Sequence, residues 1–347
     1  MAVIAIVGAG MMGSSIGIPA AENGNDVRLV GTPLDDAIID HARQTGEHLT
    51  LKRRLPASYR YYRFEEMDEA LKGADLLVGG VSSFGLDWFI DNVLRVIPEA
   101  LPVLMVTKGL MDDEEGNLFC YADYIRSRLP DRRLRLNAVG GPCTSYELAD
   151  HDWTQVCFCG RDMGLLRRIR DMFRTDYYTV SVSTDEVGVE CAVALKNAYA
   201  LAVTLAVGLA EKREGREGAL HYNSQAALFL QSFREMKKLL EHLGGREESL
   251  PFGIGDLYVT IFGGRTRKIG TLLGRGDTFP QAMEKLRGVT LESIVITTRA
   301  SRAVRRQIAA EKLREEDFPL LMHIDEIVNR GANVNIPWEK FTAEYEF

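Results

Sequence analysis

A chain of 347 residues with 46% hydrophobic and 26% charged side chains is longer than one compact core holds, and its composition is that of an ordinary globular protein. The formal net charge of −7 excludes a nucleic-acid binder that relies on a broadly basic surface, so an anionic ligand has to be held by locally gathered cations. Five cysteines in no disulfide or zinc spacing point to a reducing compartment and to no bound metal.

The N-terminal MAVIAIVGAG has no basic leader, and its glycines would break a signal-peptide core, so it reads as the first strand of a cytoplasmic protein. The apolar run 2–7 leads into Gly8, Gly10 and Gly13, then a helix-like SSIGIPAAENG. This is G-x-G-x-x-G after a strand and opening a helix. The first glycine makes the turn, the second lets backbone approach a pyrophosphate, and the third lets helix pack on strand. A dinucleotide site is expected. Strand 26–31 ends on Gly31-Thr32-Pro33, with neither the acid that suits a ribose hydroxyl nor a base for a 2′-phosphate. Asp35 and Asp36 read as the start of the next helix, so NAD and NADP both remain open.

Residues 49–63, LTLKRRLPASYRYYR, read as a solvated basic connection. Helix 64–72, strand 74–81, helix 86–97 and strand 101–107 follow. Strands and helices alternating at this length predict a doubly wound parallel sheet, whose ligands bind at the carboxyl ends of the strands. Val81-Ser82-Ser83 and Thr107-Lys108-Gly109 fall there. A helix over 116–129 precedes a strand that runs into Gly140-Gly141-Pro142. Strand VCFCG, with Cys157 and Cys159 on one face, a helix and strand YYTVSVS complete a first domain, 1–185. Helical periodicity then predicts a second domain, 186–347.

Residues 187–211 form an apolar helix with a single cation, Lys196, at its middle. Glu190, Asn197 and Thr204, seven apart, share one stripe beside it. A central Lys–Asn pair is costly in lipid, and no flanking basic bias sets an orientation, so the helix reads as a buried core element and not a membrane span. Its lysine either snorkels to water or is held for chemistry. After a polar loop and a helix over 223–243 comes PFGIGDLYVTIFGGRTRKIGTLLGRG. There Asp256 follows a Gly-x-Gly turn, and Arg265, Arg267 and Lys268 cluster beside Gly263-Gly264, a combination suited to phosphate. The arginine-rich helical stretch 299–317 reads as surface.

This order of motifs resembles the NAD(P)-dependent sn-glycerol-3-phosphate dehydrogenases over nearly the whole chain. The resemblance rests on Gly8-x-Gly10-x-x-Gly13, Lys108-Gly109, Gly141-Pro142 with Glu147, Leu195-Lys196-Asn197 and Asn223-x-x-Ala226-Ala227. It continues through Gly255-Asp256-Leu257 with Thr260 and Gly263-Gly264-Arg265-Thr266-Arg267-Lys268. It implies a Rossmann domain followed by an all-helical domain. It also implies Lys196 as proton donor/acceptor, with Lys108 and Asp256 arranging the reacting group. Gly8, Gly10, Met11, Met12, Gly13, Lys108, Ser145, Arg265 and Glu292 would contact NAD or NADP. Lys108, Gly141, Lys196, Asn197, Asp256, Thr260, Arg265 and Thr266 would contact a small phosphorylated ketone or polyol.

The chemistry agrees. Reducing dihydroxyacetone phosphate needs a hydride at carbon and a proton at oxygen; a desolvated lysine near a second lysine has its pKa pushed down, and Asp256 would oppose that shift. Departures from the family pattern at Ser82, Cys143, Thr266 and the loop 212–222 leave a reductase of another phosphorylated ketose or polyol as an alternative. A non-catalytic NAD(P)-binding sensor, and a hydroxy-acid or ketopantoate-type reductase, are further alternatives. The four residues Lys108, Lys196, Asp256 and Arg265 together favour the enzyme, and the basic Gly-Gly-Arg cluster favours a phosphorylated substrate. A homodimer is expected, with neither nucleic acid nor membrane as partner.

Overall fold

The computed structural model describes residues 1–341. The chain forms two compact units: Met1–Lys108 with Tyr121–Glu190, and Gly109–Cys120 with Cys191–Phe347.

The first unit is built on one sheet. Its strands are β1 (Val3–Val7), β2 (Asp26–Val30), β3 (Arg60–Tyr62), β4 (Leu76–Gly79) and β5 (Pro102–Met105). The second unit contributes β6 (Leu110–Asp112) and β7 (Leu118–Cys120) as a separate pair, and the sheet resumes with β8 (Arg135–Gly140), β9 (Thr154–Gly160) and β10 (Tyr178–Ser183). The order β10-β9-β8-β5-β4-β1-β2-β3 reverses direction of growth at β1 and β4, the place where an open α/β sheet leaves a crevice. Six strands from β3 to β8 run parallel; β9 is antiparallel to β8, which departs from the all-parallel sheet expected.

The central strands are apolar on both faces because helices cover both. Ile4, Ile6, Leu29, Leu76, Val78 and Leu104 are all at 0% exposure in one core with Phe158 and Phe173. The register pairs Val7 with Val30 and with Gly79, and Gly79 with Met105. Their carboxyl ends therefore finish level, and the segments that follow them share one edge. Cys157 and Cys159 sit inside this core; burial pushes the Cys157 thiol up to about 12 and holds the Cys159 thiol well above its ordinary value, so neither is a nucleophile at neutral pH.

Several local expectations change. The stretch 49–63 is not a solvated connection: Leu51, Leu55 and Tyr59 are buried at 0%, 6% and 5% exposure, and its end is β3. The helix expected over 86–97 is a short helix, Leu86–Phe89, continued by a π turn at Ile90–Leu94. The helix expected from 116 starts only at Tyr121, because β6 and β7 form a hairpin that turns at Gly116 (φ +85°).

In the second unit that hairpin lies against the helix Glu292–Ala309. Arg299 donates to the Leu110 carbonyl at 2.7 Å, Gln307 donates to the Gly116 carbonyl at 3.1 Å, and Arg302 pairs with buried Asp112. Arg302 is exposed, as expected, and ties down the hairpin from the surface, while Arg299 is half-buried against it.

The long helix Glu186–Glu214 starts in the first unit and belongs to the second from Cys191 onward. It is long and apolar enough to cross a membrane, but 89% of its most apolar window is buried within the protein. A helix apolar on every side belongs in a core. In the second unit the helices Tyr222–His242, Leu250–Phe262, Gly264–Arg275, Phe279–Lys285, Glu292–Ala309 and Pro319–Arg330 surround it, and the β6–β7 hairpin is the exception to the all-helical domain expected.

Candidate active site

The residues expected to hold a dinucleotide in the first unit lie at the carboxyl edge of the sheet. Leaving β1, Gly8 takes φ +110°, and a methyl group there would sit 2.6 Å from the Gly80 carbonyl carbon. A methyl on Gly13 would come 2.1 Å from the Gly8 oxygen. These two glycines therefore permit close packing of loop, helix and neighbouring strand. Gly10 differs, because a methyl added there meets nothing within 4 Å.

The helix Met11–Glu22 starts beside that open space with no side-chain cap and no acid in its first turn. The N–H groups of Met11, Met12 and Gly13 have no acceptor within the helix, and the helix dipole adds partial positive charge there. An open glycine, uncapped N–H groups and a first turn without an acid fit a pyrophosphate.

Asp35, read from the sequence as part of a helix start, precedes the helix Asp36–Thr45 but turns its carboxylate back to the loop. Its Oδ2 accepts from the Ala9 N–H at 3.1 Å and from the Thr32 N–H and hydroxyl at 2.9 and 2.8 Å. At the same edge, the Thr107 hydroxyl donates to the Val81 carbonyl at 2.6 Å, and Lys108 Nζ donates to the Gly141 carbonyl at 2.7 Å. Gly141 takes φ +119°, which lets the chain turn sharply after β8. Buried Ser145 opens the next helix and offers its carbonyl to the Ser15 hydroxyl at 2.9 Å.

The second unit supplies a buried ion pair. Lys196 Nζ donates to Asp256 Oδ1 at 2.6 Å, with side-chain exposures of 13% and 2%. This pairing follows from close helix packing. A methyl on Gly253 would come 2.6 Å from the Ala192 carbonyl oxygen, so the helix Leu250–Phe262 crosses the long helix in backbone contact. Asp256 lies three residues past Gly253 and Lys196 four past Ala192, each one turn beyond that contact.

The helix Gly264–Arg275 packs equally closely: a methyl on Gly270 would sit 2.0 Å from the Thr204 hydroxyl, and one on Gly274 would sit 2.2 Å from the Leu205 oxygen. Thr204 bonds back to the Ala200 and Leu201 carbonyls, so on the expected polar stripe it serves packing. Asn197 is buried at 6% exposure, and Glu190, at the end of the first unit, accepts from the Ala122 N–H at 3.3 Å.

The stretch read as turns around Asp256 and Gly263-Gly264 is two helices with a break. Asp256 is inside the first helix, and the Thr260 hydroxyl bonds back to the Asp256 carbonyl at 2.7 Å. Gly263 is extended, Gly264 takes φ +75°, and the second helix opens with Arg265, Thr266, Arg267 and Lys268, no acid and no side-chain cap. Arg267 donates to the Ile261 carbonyl at 2.7 Å and braces the break, while Arg265 and Lys268 are exposed. Thr266 is buried at 8% exposure. Arginine at an uncapped helix start combines three sources of positive potential, which suits a phosphate group. Half-buried Glu292 opens the helix Glu292–Ala309.

One residue at the loop has no counterpart in the sequence reading. His48 is fully buried, and its Nε2 lies 2.8 Å from the Ala9 carbonyl oxygen. The four-residue spacing of Leu51, Leu55 and Tyr59 was the available sign that this stretch packs inward.

Comparison with known proteins places the chain in a family. Residues 3–165 match the N-terminal profile of the NAD-dependent glycerol-3-phosphate dehydrogenases, and residues 185–339 match the C-terminal one. An NADP(+)-dependent glycerol-3-phosphate dehydrogenase of Archaeoglobus fulgidus is 31% identical over 331 residues, covering 92% of this chain and 95% of that protein. A glycerol-3-phosphate dehydrogenase [NAD(P)+] of Bacillus mycoides is 27% identical, covering 96% and 93%. Among solved structures, a glycerol-3-phosphate dehydrogenase from Coxiella burnetii shares the fold with a TM-score of 0.77 at 21% identity, covering 97% of each chain. The chain belongs to the NAD-dependent glycerol-3-phosphate dehydrogenase family.

Proposed function

We propose that this chain interconverts dihydroxyacetone phosphate and sn-glycerol 3-phosphate with NAD or NADP as hydride carrier. The observation that carries this reading is the buried Lys196–Asp256 pair, 2.6 Å apart, on helices locked together at Ala192 and Gly253. The bound nicotinamide supplies the hydride.

The chain's own residues do the rest. During reduction Lys196 Nζ gives a proton to the ketone oxygen as the hydride reaches carbon, and it takes that proton back from the hydroxyl during oxidation. Asp256 accepts a hydrogen bond from the ammonium and holds Nζ in one place, so proton transfer starts from an ordered donor. Lys108, fixed on the Gly141 carbonyl, adds positive charge where the oxygen gains negative character. Arg265 and the uncapped helix start beside Thr266 bind the phosphate, with Asn197 and Thr260 completing the polar set. Gly8, Gly10, Met11, Met12, Gly13 and Ser145 hold the dinucleotide, with Glu292 as an acidic contact.

The reading assigns the glycine-loop hold on the dinucleotide to the first unit and proton transfer to the second. A small phosphorylated substrate, a homodimer and a cytoplasmic location belong to the same reading. The test is the absorbance of reduced nicotinamide when purified protein is mixed with dihydroxyacetone phosphate and NADH, or with NADPH. Oxidation with either cofactor supports the reading. Protein that binds a cofactor but oxidises none with this substrate overturns it in favour of another phosphorylated ketone.

A further inference from the structure

The dinucleotide loop is held at its middle residue, Ala9, through the peptide on either side of it. The Ala9 N–H donates to Asp35 Oδ2 at 3.1 Å, and the Ala9 carbonyl lies 2.8 Å from His48 Nε2. The other ring nitrogen fixes the proton's position. His48 Nδ1 accepts from the Leu51 N–H at 3.0 Å and the Thr50 N–H at 3.2 Å, so the ring proton is on Nε2 and is donated to Ala9. Two residues reach the same loop and helix from one connection, since Tyr59, eleven positions on, donates its hydroxyl to the Ser14 carbonyl at 2.8 Å.

We propose that His48 is a positioning residue for cofactor binding: its neutral Nε2–H tautomer holds the Ala9 carbonyl, and with Asp35 it sets the orientation of the peptide planes that present Gly10 and the helix start to a pyrophosphate. The inference rests on the dinucleotide reading above. Without His48 the Ala9–Gly10 peptide is free to rotate about the Ala9 ψ, and that rotation would displace the N–H groups that follow it. Conversely, protonating His48 at Nδ1 would turn an acceptor into a donor facing two N–H groups.

Burial holds the ring below the usual histidine range, opposed by the Ala9 carbonyl and the Asp35 carboxylate, with His41 adding to the lowering. The ring is therefore neutral at physiological pH, and the clamp is lost on acidification.

The test is direct titration of NADH and NADPH, followed by nicotinamide fluorescence, on the full chain and on His48→Leu and His48→Gln. Gln places an amide N–H where Nε2 stands and keeps one donor. The dissociation constant is expected to rise about tenfold in His48→Leu and to recover most of that loss in His48→Gln. In the wild type it is expected to rise as pH falls through the histidine's titration. At saturating cofactor, kcat is expected to stay within about twofold while KM for cofactor rises, the split that separates positioning from general damage.

Equal affinity in folded His48→Leu overturns the inference and leaves the functional reading standing. Absence of cofactor binding by the wild type overturns the functional reading and this inference with it. Should His48→Leu not fold, His48→Gln decides: affinity near wild type with a flattened pH dependence supports the clamp, and an unchanged pH dependence overturns it.

Discussion

Gly253 and Ala192 are in such close contact that a methyl group on Gly253 would lie 2.6 Å from the Ala192 carbonyl oxygen. That approach decides where Asp256 meets Lys196 one turn later. Adding the methyl must push the two helices apart or twist them. Gly253→Ala is therefore expected to lower kcat about tenfold or more, because a displacement well under an ångström at a proton-transfer site is costly. Cofactor affinity should not change. Steady-state kinetics with a parallel cofactor titration check this, and unaltered kcat would show that the helix contact does not set the pair.

Removing Asp256's charge tests the second half of the same relationship. Asp256→Asn keeps the shape but leaves Lys196 without its counter-charge at a site where Asp256 is almost fully buried. The expected outcome is a loss of kcat of about a hundredfold in a folded variant whose cofactor affinity is unchanged. Turnover near the wild-type rate would separate Asp256 from the proton transfer.

Arg265 is exposed at the first turn of the helix Gly264–Arg275. Arg265→Ala is expected to raise KM for dihydroxyacetone phosphate about tenfold or more, from the loss of a charge-assisted contact to phosphate. The preference for that substrate over unphosphorylated dihydroxyacetone should shrink in proportion. An unchanged preference ratio would take Arg265 out of phosphate recognition.

A buried acid gives a stability prediction away from the site. Glu235 is fully buried and accepts from the Leu320 and Leu321 N–H groups at 2.7 and 2.9 Å, from Gln231 and from the Tyr199 hydroxyl. Burial outweighs these bonds and raises its carboxyl from an ordinary 4.5 to about 7. The folded state thus binds a proton more tightly than the unfolded chain does. The associated stability is present in full below about pH 4.5 and is lost as pH rises through about 7, a swing of about 3 kcal/mol. Glu235→Gln should lack this dependence, so its melting temperature relative to wild type should climb between those pH values. A constant difference would contradict the assignment.

The Rossmann half of the fold was legible because its signals are local. A glycine triplet directly after an apolar strand, and strands alternating with helices, need no tertiary information. Lys196 was legible as a lone cation in an apolar helix. The break at Gly263-Gly264 was read as a turn because glycine and arginine clusters look alike in loops and at helix starts. The glycines at 253, 270 and 274 gave no local sign that they admit neighbouring backbone. The hairpin at Gly116 was hidden because its strands, β6 and β7, are three residues each and are held by arginines almost two hundred positions away. His48 was missed for a similar reason: its partner at Ala9 is 39 residues earlier, and the basic residues around it suggested solvent.

The most direct measurement compares wild type with Lys196→Ala, following reduced-nicotinamide oxidation with dihydroxyacetone phosphate while cofactor binding and melting are monitored on the same samples. The account predicts a loss of kcat of about a thousandfold or more in a folded variant whose cofactor affinity is unchanged, as expected when a general acid is removed. Turnover near the wild-type rate in that folded, cofactor-binding variant would contradict the role of Lys196 and with it the proposed mechanism.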